Sequence, residues 1–179
     1  MKISAENTIA VVIDYQEKLV PAMSEQEALV KKSKILLGGL KALGIPMIVT
    51  TQYAKGLGNT IEALTSELAE APVIDKNTFS VMDNEEVRQA IPKNTENIIV
   101  CGMEAHICVL QSIIDFQAAG YQTIMVADCI SSRSQEDKAY SLIRGEKEGT
   151  IITTAEAILY ELLGGSKHPA FKTISSLVK

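Results

Sequence analysis

Cys108 stands at a position where a cysteine could act as a nucleophile. Residues 97–110 pass from an apolar run rich in Val and Ile, through Gly102, into a segment with helical periodicity whose first turn contains Cys108. A thiol near a helix N-terminus lies close to unpaired backbone N–H groups and to the positive end of the macrodipole, and both favour the thiolate. The alternative is that Cys108 packs as a small apolar core residue.

Two further residues could supply the charges that a reactive thiol needs. Asp14 ends the run Val-Val-Ile-Asp, and Lys76 ends the run Val-Ile-Asp-Lys. An aspartate could accept the thiol proton and return it to a leaving amine, while a lysine could keep the aspartate ionised and stabilise the thiolate. Backbone N–H groups before Cys108 could bind an oxyanion. Taken singly, Asp14 could instead be a capping or loop carboxylate, and Lys76 a solvated surface cation.

The elements that must position these residues alternate between strand and helix. The predicted strands are short runs rich in Val and Ile at residues 8–13, 46–51, 73–75, 97–100, 123–127 and 150–153. Because these runs are mostly apolar throughout rather than alternating with polar residues, they predict a mostly parallel sheet covered by helices on both faces. We therefore expect an α/β fold, a three-layer α/β/α doubly wound sheet with six strands in the order 3-2-1-4-5-6.

This strand order predicts a common site for the three candidate residues. Ligands of such sheets bind beyond the carboxyl ends of the strands, where the strand order reverses. The first and fourth strands are then central neighbours, so Asp14 and Cys108 face one crevice, and Lys76 approaches from the flank. Their joint placement favours a catalytic interpretation over three separate structural roles.

The segments of helical period are residues 24–44, 60–70, 84–91, 105–119, 134–148 and 155–163. The first is predicted to begin at Ser24, because Ser24-Glu-Gln-Glu27 has the pattern of a capping box. The glycine-rich stretch 55–59 is interpreted as a loop that forms a lid or a subunit contact. We interpret residues 1–179 as a single domain, with 164–179 a C-terminal extension available for packing on a neighbouring subunit.

Composition restricts the class of function. The net charge is -5 without a long block of like charges, and aromatic residues are only 4% with no Trp, so neither nucleic acid nor a membrane surface is an expected partner. Three widely spaced cysteines form neither a disulfide framework nor a zinc pair. The N-terminus lacks the apolar core of a signal peptide. We expect a cytoplasmic protein that acts on a small-molecule substrate.

Three motifs resemble the Asp, Lys, Cys triad of the isochorismatase-like cysteine hydrolases. They are Val-Val-Ile-Asp14-Tyr-Gln, Asp-Lys76-Asn-Thr-Phe-Ser and Cys-Gly-Met-Glu-Ala-His-Ile-Cys108-Val. Residues 52–58, 131–134 and 168–172 are similar to the branch called isochorismatase domain-containing proteins. The resemblance covers nearly the whole chain and implies a hydrolase that forms a homo-oligomer.

The resemblance also implies details of the site. It implies a non-proline cis peptide bond between Met103 and Glu104, with the N–H groups of Glu104 and Cys108 forming an oxyanion hole. Glu104 stands where many members of the wider family have a small residue, so it is either a substrate contact or a surface or interface carboxylate. The residues beside the motifs that could line a substrate pocket, each of which could also be a structural residue, are Tyr15, Gln16, Tyr53, Phe79, Met103 and His106.

Departures from the family patterns narrow the chemistry. The nicotinamidases of this family carry an Asp-x-His metal motif, whereas the histidines of this chain are only His106 and His168. We therefore predict neither a metal nor another cofactor. Isochorismatases proper cleave a vinyl ether without a cysteine nucleophile, so Cys108 favours hydrolysis of an amide-like C–N bond through a thioester. The alternatives are vinyl-ether hydrolysis of an isochorismate-like acid and a binding or scaffold protein without turnover.

Overall fold

A computed structural model describes residues 2–179 of the chain. Its strands are β1 Thr8–Ile13, β2 Met47–Gln52, β3 Val73–Lys76, β4 Asn97–Met103, β5 Gln122–Ser131 and β6 Ile151–Thr153. They form one sheet in the order β3-β2-β1-β4-β5-β6, and every neighbouring pair is parallel. The predicted fold class and strand order are confirmed.

The helices of the described residues lie between these strands and after the last one. They are α1 Gln26–Ala42, α2 Ala54–Leu57, α3 Glu62–Leu68, α4 Glu85–Ala90, α5 Leu110–Ala118, α6 Gln135–Lys147, α7 Ala155–Leu163 and α8 Phe171–Leu177. Single 3-10 turns occupy Val20–Ala22 and Val81–Asp83, and a π-helical turn occupies Ala105–Val109. Within residues 2–179, no helix combines the length and the apolar composition that a membrane crossing requires.

Apolar side chains bury both faces of the sheet. Helices α1, α3, α7 and α8 pack on one face, where Ala10 and Val12 of β1 lie, and helices α4, α5 and α6 cover the other. Successive side chains of a strand point to opposite faces, so a central strand must be apolar at nearly every position. All residues of β1 are buried accordingly. This explains why the strands read as mostly apolar runs.

The prediction of a capping box at Ser24 was wrong. Helix α1 begins at Gln26, and Glu25 before it has a left-handed backbone conformation with φ 52°. The Ser24 hydroxyl donates a hydrogen bond to the carbonyl of Ser132 at 2.8 Å instead of capping the helix. A long-range hydrogen bond therefore replaces the local one that the sequence pattern indicated.

The segments interpreted as a glycine-rich loop and as a C-terminal extension both contain short helices. Helix α2 overlaps the first part of the glycine-rich stretch 55–59, and α8 lies within residues 164–179. Ile174 of α8 is buried, and the helix packs against α1, so this part of the tail contacts its own chain. That residues 1–179 form a single domain stays a prediction.

Gly102 brings β4 into close contact with β1. Its φ is +128°, and a Cβ atom there would lie 2.0 Å from the carbonyl oxygen of Ile13. We predict that Gly102→Ala lowers the free energy of unfolding by roughly 3 kcal/mol or more, measured by chemical denaturation, because backbone strain and a clash with the backbone add together.

Gly120→Ala is the matched control for this prediction. Gly120 also has a positive φ, +92°, but nothing lies within 4 Å of the position that a Cβ atom would take there. Gly120→Ala should lower the free energy of unfolding only by the cost of placing Ala in the left-handed conformation, on the order of 1 kcal/mol. Equal losses in the two variants would contradict a role for close packing at Gly102.

Candidate active site

Asp14 directly follows β1 and is fully buried. Its backbone is left-handed with φ 55°, a conformation that aspartate tolerates better than most residues. The hydroxyl of Thr50 donates a hydrogen bond to Oδ1 at 2.8 Å, and the ammonium of Lys76 donates to Oδ2 at 2.8 Å. The carboxylate is therefore held by the two neighbouring strands β2 and β3 on one side of the site.

Lys76 ends β3, and its side chain is as buried as that of Asp14. Its Nζ donates to Asp14, to Oε1 of Gln52 at 2.7 Å and to the carbonyl of Thr78 at 3.2 Å. An ammonium has three N–H donors, and each has an acceptor here. Because a buried ion pair is stable only when its remaining hydrogen bonds are satisfied, this arrangement fits a buried cation rather than a solvated surface lysine.

The π-helical turn Ala105–Val109 presents Cys108 at the carboxyl end of β4. The carbonyl of Glu104 accepts hydrogen bonds from the N–H groups of Ile107 at 3.0 Å and Val109 at 3.2 Å, on either side of Cys108. The hydroxyl of Ser112 in α5 donates to the carbonyl of Cys108 at 2.6 Å. The predicted helix therefore begins with a wider turn, a feature frequent at functional sites.

The thiol of Cys108 is protonated at neutral pH. Burial raises the pKa of Cys108 to about 12, Asp14 raises it as well, and Lys76 opposes both effects. The expectation of a thiolate from the position of Cys108 near a helix N-terminus was therefore wrong, because desolvation outweighs the favourable charges. A base is needed to remove the proton when the thiol reacts.

This pKa predicts how Cys108 is alkylated. Iodoacetamide reacts with the thiolate, so the rate at Cys108 should keep rising with pH beyond the ordinary thiol pKa of 9.0 rather than level off there. Timed labelling from pH 7 to 10, read by intact mass, measures this rate. Cys101 and Cys129 are fully buried and should stay unlabelled, and Cys108→Ala should remove the adduct. A rate that levels off below pH 9 would contradict the prediction.

One cavity of about 150 Å³ joins the candidate residues. Asp14 and Cys108 both line it, while Lys76 lies behind Asp14 as its ion-pair partner. The remaining lining residues are mostly apolar: Leu19, Gln52, Leu57, Phe79, Met103, Glu104 and Ile107. The structure thus brings a thiol and a paired carboxylate to the same small space.

Glu104 contributes the second carboxylate of this cavity. The peptide bond between Met103 and Glu104 is cis. Oε2 of Glu104 accepts hydrogen bonds from the backbone N–H and the Nε of Arg133, each at 3.1 Å. The Glu104 side chain is only 10% exposed, whereas that of Arg133 is 65% exposed. Glu104 is therefore a cavity residue rather than a solvated surface carboxylate.

The other predicted pocket residues divide into two groups. Phe79 and Met103 line the cavity, but Tyr15 and Gln16 do not. The Tyr15 hydroxyl donates to the carbonyl of Cys129 on the opposite face of the sheet. The side-chain N–H of Gln16 donates to the carbonyls of Gln52 and Gly58 at 3.1 and 2.7 Å, so Gln16 supports the loop after β2 instead.

Tyr53 and His106 also lie outside the cavity beside Cys108. The Tyr53 side chain is exposed to solvent. The His106 ring contacts two residues outside the cavity: Nδ1 lies 2.9 Å from the hydroxyl of Ser132, directly after β5, and Nε2 lies 3.9 Å from a carboxylate oxygen of Asp137 in α6. Among residues 2–179, no group of three or more His, Cys, Asp or Glu side chains is arranged to hold a metal ion.

Sequence reasoning missed two polar residues of β2 that organise the site. Thr50 donates to Asp14, and Gln52 accepts from Lys76 and lines the cavity. Both lie at the carboxyl end of a strand located between β1 and β3. The rule that pointed to Asp14 and Lys76 would have found Gln52, had it been applied to the second strand. The apolar wall residues Leu19, Leu57 and Ile107 carry no such signal.

Comparisons with known proteins agree with this architecture. The sequence profile of the isochorismatase domain matches residues 8–157. Isochorismatase domain-containing protein 1 of Salmo salar is 38% identical over 173 residues, which are 96% of this chain and 61% of that protein. The chain thus spans about three fifths of the length of that curated relative.

Two solved structures extend the comparison. The structure of MAR1 ribonuclease from Caenorhabditis elegans has a TM-score of 0.95 and 37% identity, and the match covers 99% of this chain and 92% of that one. The YcaC gene product of Escherichia coli, described as an octameric hydrolase of unknown specificity, has a TM-score of 0.93 and 18% identity, over 99% of this chain and 90% of that one. At 18% identity, the similarity to the YcaC gene product shows a shared fold and no more.

Proposed function

The chain belongs to the isochorismatase family of hydrolases, in the branch of the isochorismatase domain-containing proteins, and on that premise we propose that it is a cysteine hydrolase of small amides. The bond cleaved is an amide-like C–N bond, and the intermediate is a thioester on Cys108. One observation carries the proposal: Cys108 and Asp14 line the same cavity, and the Asp14 carboxylate is paired with Lys76.

In the first half of the reaction, the Cys108 sulfur attacks the amide carbon while Asp14 takes the thiol proton. The raised pKa of Cys108 means that this proton is still present when substrate binds, so its transfer to Asp14 accompanies attack. The tetrahedral intermediate then collapses as the C–N bond breaks. Asp14 gives its proton to the nitrogen, and ammonia or an amine leaves.

In the second half, a water molecule replaces the amine in the cavity. Asp14 takes a proton from the water as its oxygen attacks the thioester carbon, and the C–S bond breaks. The proton returns to the sulfur, so the net reaction consumes one amide and one water and yields a carboxylic acid and ammonia or an amine. Lys76 keeps its hydrogen bond to Asp14 and stabilises the negative charge of the carboxylate between steps.

The oxyanion of each tetrahedral intermediate needs hydrogen-bond donors. We assign this role to the backbone N–H groups of Glu104, directly before the π-helical turn that follows β4, and of Cys108, within that turn. Fixed backbone donors stabilise developing charge strongly because they need no reorganisation during the reaction. The proposal uses no metal, because His106 is engaged by Ser132 and the His168 ring accepts a hydrogen bond from the backbone of Ala170.

The charge of the cavity disfavours the vinyl-ether alternative. An isochorismate-like acid carries carboxylates, which need a cation or several free N–H donors. The charged residues that line the cavity are the carboxylates Asp14 and Glu104. The Lys76 ammonium behind them already donates three hydrogen bonds, so it is not free to bind a substrate carboxylate.

A second candidate function is RNA cleavage, which the name of the Caenorhabditis elegans relative favours. Binding of RNA depends largely on cations that contact phosphate groups. Among the described residues 2–179, no lysine or arginine lines the cavity, and the chain has a net charge of -5. Both features favour a small neutral or cationic substrate over a phosphodiester.

The deciding experiment incubates the protein with a panel of small amides and ureides, isochorismate and a labelled single-stranded RNA. Ammonia release from an amide, with an acyl adduct on Cys108 by intact mass that hydroxylamine removes, supports the proposal. RNA cleavage that persists in Cys108→Ala would support the second candidate instead. Turnover of isochorismate alone, retained in Cys108→Ala, would support vinyl-ether hydrolysis. Binding without turnover of any compound would support a scaffold protein.

We also propose that the protein forms a homo-oligomer. The YcaC gene product, which shares the fold, is described as octameric. Phe79 at the cavity is about half exposed, and a neighbouring subunit would bury such a side chain. Light scattering of the purified protein measures the number of subunits.

A further inference from the structure

Glu104 has a carboxylate oxygen that the proposed hydrolysis does not use. The side chain lines the cavity beside Cys108 and is 10% exposed. Both hydrogen bonds from Arg133 go to Oε2, and within residues 2–179 no group donates to Oε1. Oε1 therefore has no hydrogen-bond donor from the described residues, and a ligand bound in the cavity can supply one.

The balance of charge around the cavity is negative on the side of Glu104. Asp14 is neutralised by Lys76, since both side chains are fully buried and lie 2.8 Å apart. The partner of Glu104 is Arg133, whose side chain is 65% exposed, so water and salt screen its attraction. The apolar side chains of Leu57 and Phe79 complete the wall and add no charge.

We propose that Glu104 is a specificity-determining residue that selects substrates with a cationic nitrogen near the scissile amide. This inference rests on the proposed amide hydrolysis and names its substrate class: small amides that carry an ammonium or amidinium group on a short carbon chain. The nitrogen donates a charge-assisted hydrogen bond to Oε1, and the apolar walls contact the chain. Substrates with a carboxylate at the same place are repelled.

Three amides of similar length test the selection. β-Alaninamide carries an ammonium where butyramide carries a methyl group, and succinamate carries a carboxylate there. For the unmodified protein we expect kcat/KM from ammonia release to be roughly tenfold or more higher for β-alaninamide than for butyramide, with succinamate the slowest. A ratio near one between β-alaninamide and butyramide overturns the inference.

Two variants separate the effect of the Glu104 carboxylate from the effect of Arg133. Glu104→Gln should reduce the preference for β-alaninamide to about twofold or less, because a neutral amide replaces the carboxylate. Arg133→Gln should increase the preference, because it removes the competing cation while the backbone N–H of residue 133 still donates to Oε2. The ratio of two substrates within one variant cancels any general loss of activity. A ratio that Glu104→Gln leaves unchanged overturns the inference.

A binding measurement keeps the inference independent of turnover. At pH 9, propylammonium should slow the alkylation of Cys108 more than propanol does, and Glu104→Gln should abolish this difference. If no amide is hydrolysed while this protection is seen, the proposed function fails and the selection of cations by Glu104 stands. If amides are hydrolysed through Cys108 without preference or protection, the inference fails and the proposed function stands.

Discussion

Replacing Cys108 by Ala is expected to reduce amide turnover by roughly 10³-fold or more while the protein still folds. The substitution removes the sulfur that would form the proposed thioester, and among residues 2–179 no other cysteine, serine or threonine lines the cavity. Its effect on stability should be only about 1–2 kcal/mol, because a small side chain is shortened by one atom at a nearly buried position. Ammonia release and thermal unfolding measure the two effects.

Cys101→Ala is the matched control for this experiment. Cys101 is fully buried within β4, seven residues before Cys108, and does not line the cavity. It should lose a similar amount of stability and keep its turnover. If Cys108→Ala and Cys101→Ala were equally active on an amide, the covalent route through Cys108 would be wrong.

Lys76→Met is expected to have the largest effect on stability. It removes the only cation paired with the fully buried Asp14 among the described residues, and a buried charge that loses its partner typically costs about 3–5 kcal/mol. Without the Lys76 ammonium, no cation stabilises the Asp14 carboxylate that serves as the proposed base, so turnover should be lost as well. Chemical denaturation and ammonia release measure the two effects.

The double variant Asp14→Asn with Lys76→Met distinguishes loss of charge pairing from loss of packing. Asn removes the unpaired carboxylate but can still accept the hydrogen bond from Thr50. The double variant should therefore be more stable than Lys76→Met alone, yet it should be inactive. Additive losses from the two substitutions would show that the ion pair does not couple Asp14 to Lys76.

The sequence predicted much of this fold because its strongest signals are local. Val/Ile-rich runs alternate with amphipathic segments, and this pattern leads to the strand order that places Asp14 and Cys108 on neighbouring strands. The placement of Lys76 follows from the same rule, because β3 ends on the same edge of the sheet. The positions of these three residues could therefore be predicted without any knowledge of side-chain contacts.

What the sequence did not predict depends on contacts between distant segments. Position in a first helical turn suggested a thiolate at Cys108, but its pKa is raised because apolar side chains from several strands and helices surround it. Ser24 lies in a local capping pattern, but its hydroxyl donates a hydrogen bond to the carbonyl of Ser132, far along the chain. His106 was a candidate for the pocket, but Ser132 after β5 and Asp137 in α6 provide its contacts. Neither burial nor such partners can be read from neighbours in sequence.

The two polar residues of β2 have a consequence for how the molecule could fail. Thr50 and Gln52 face Asp14 and Lys76, while Thr51 between them points the other way and donates to Asp75 at 2.8 Å. A molecule in which this strand slipped by one place along its neighbours would exchange the two sets of side chains. Its circular dichroism would hardly change, but the proposed catalytic centre would lose the hydrogen bonds from Thr50 to Asp14 and from Lys76 to Gln52. Enzymatic rate would therefore report strand misalignment that bulk spectroscopy overlooks.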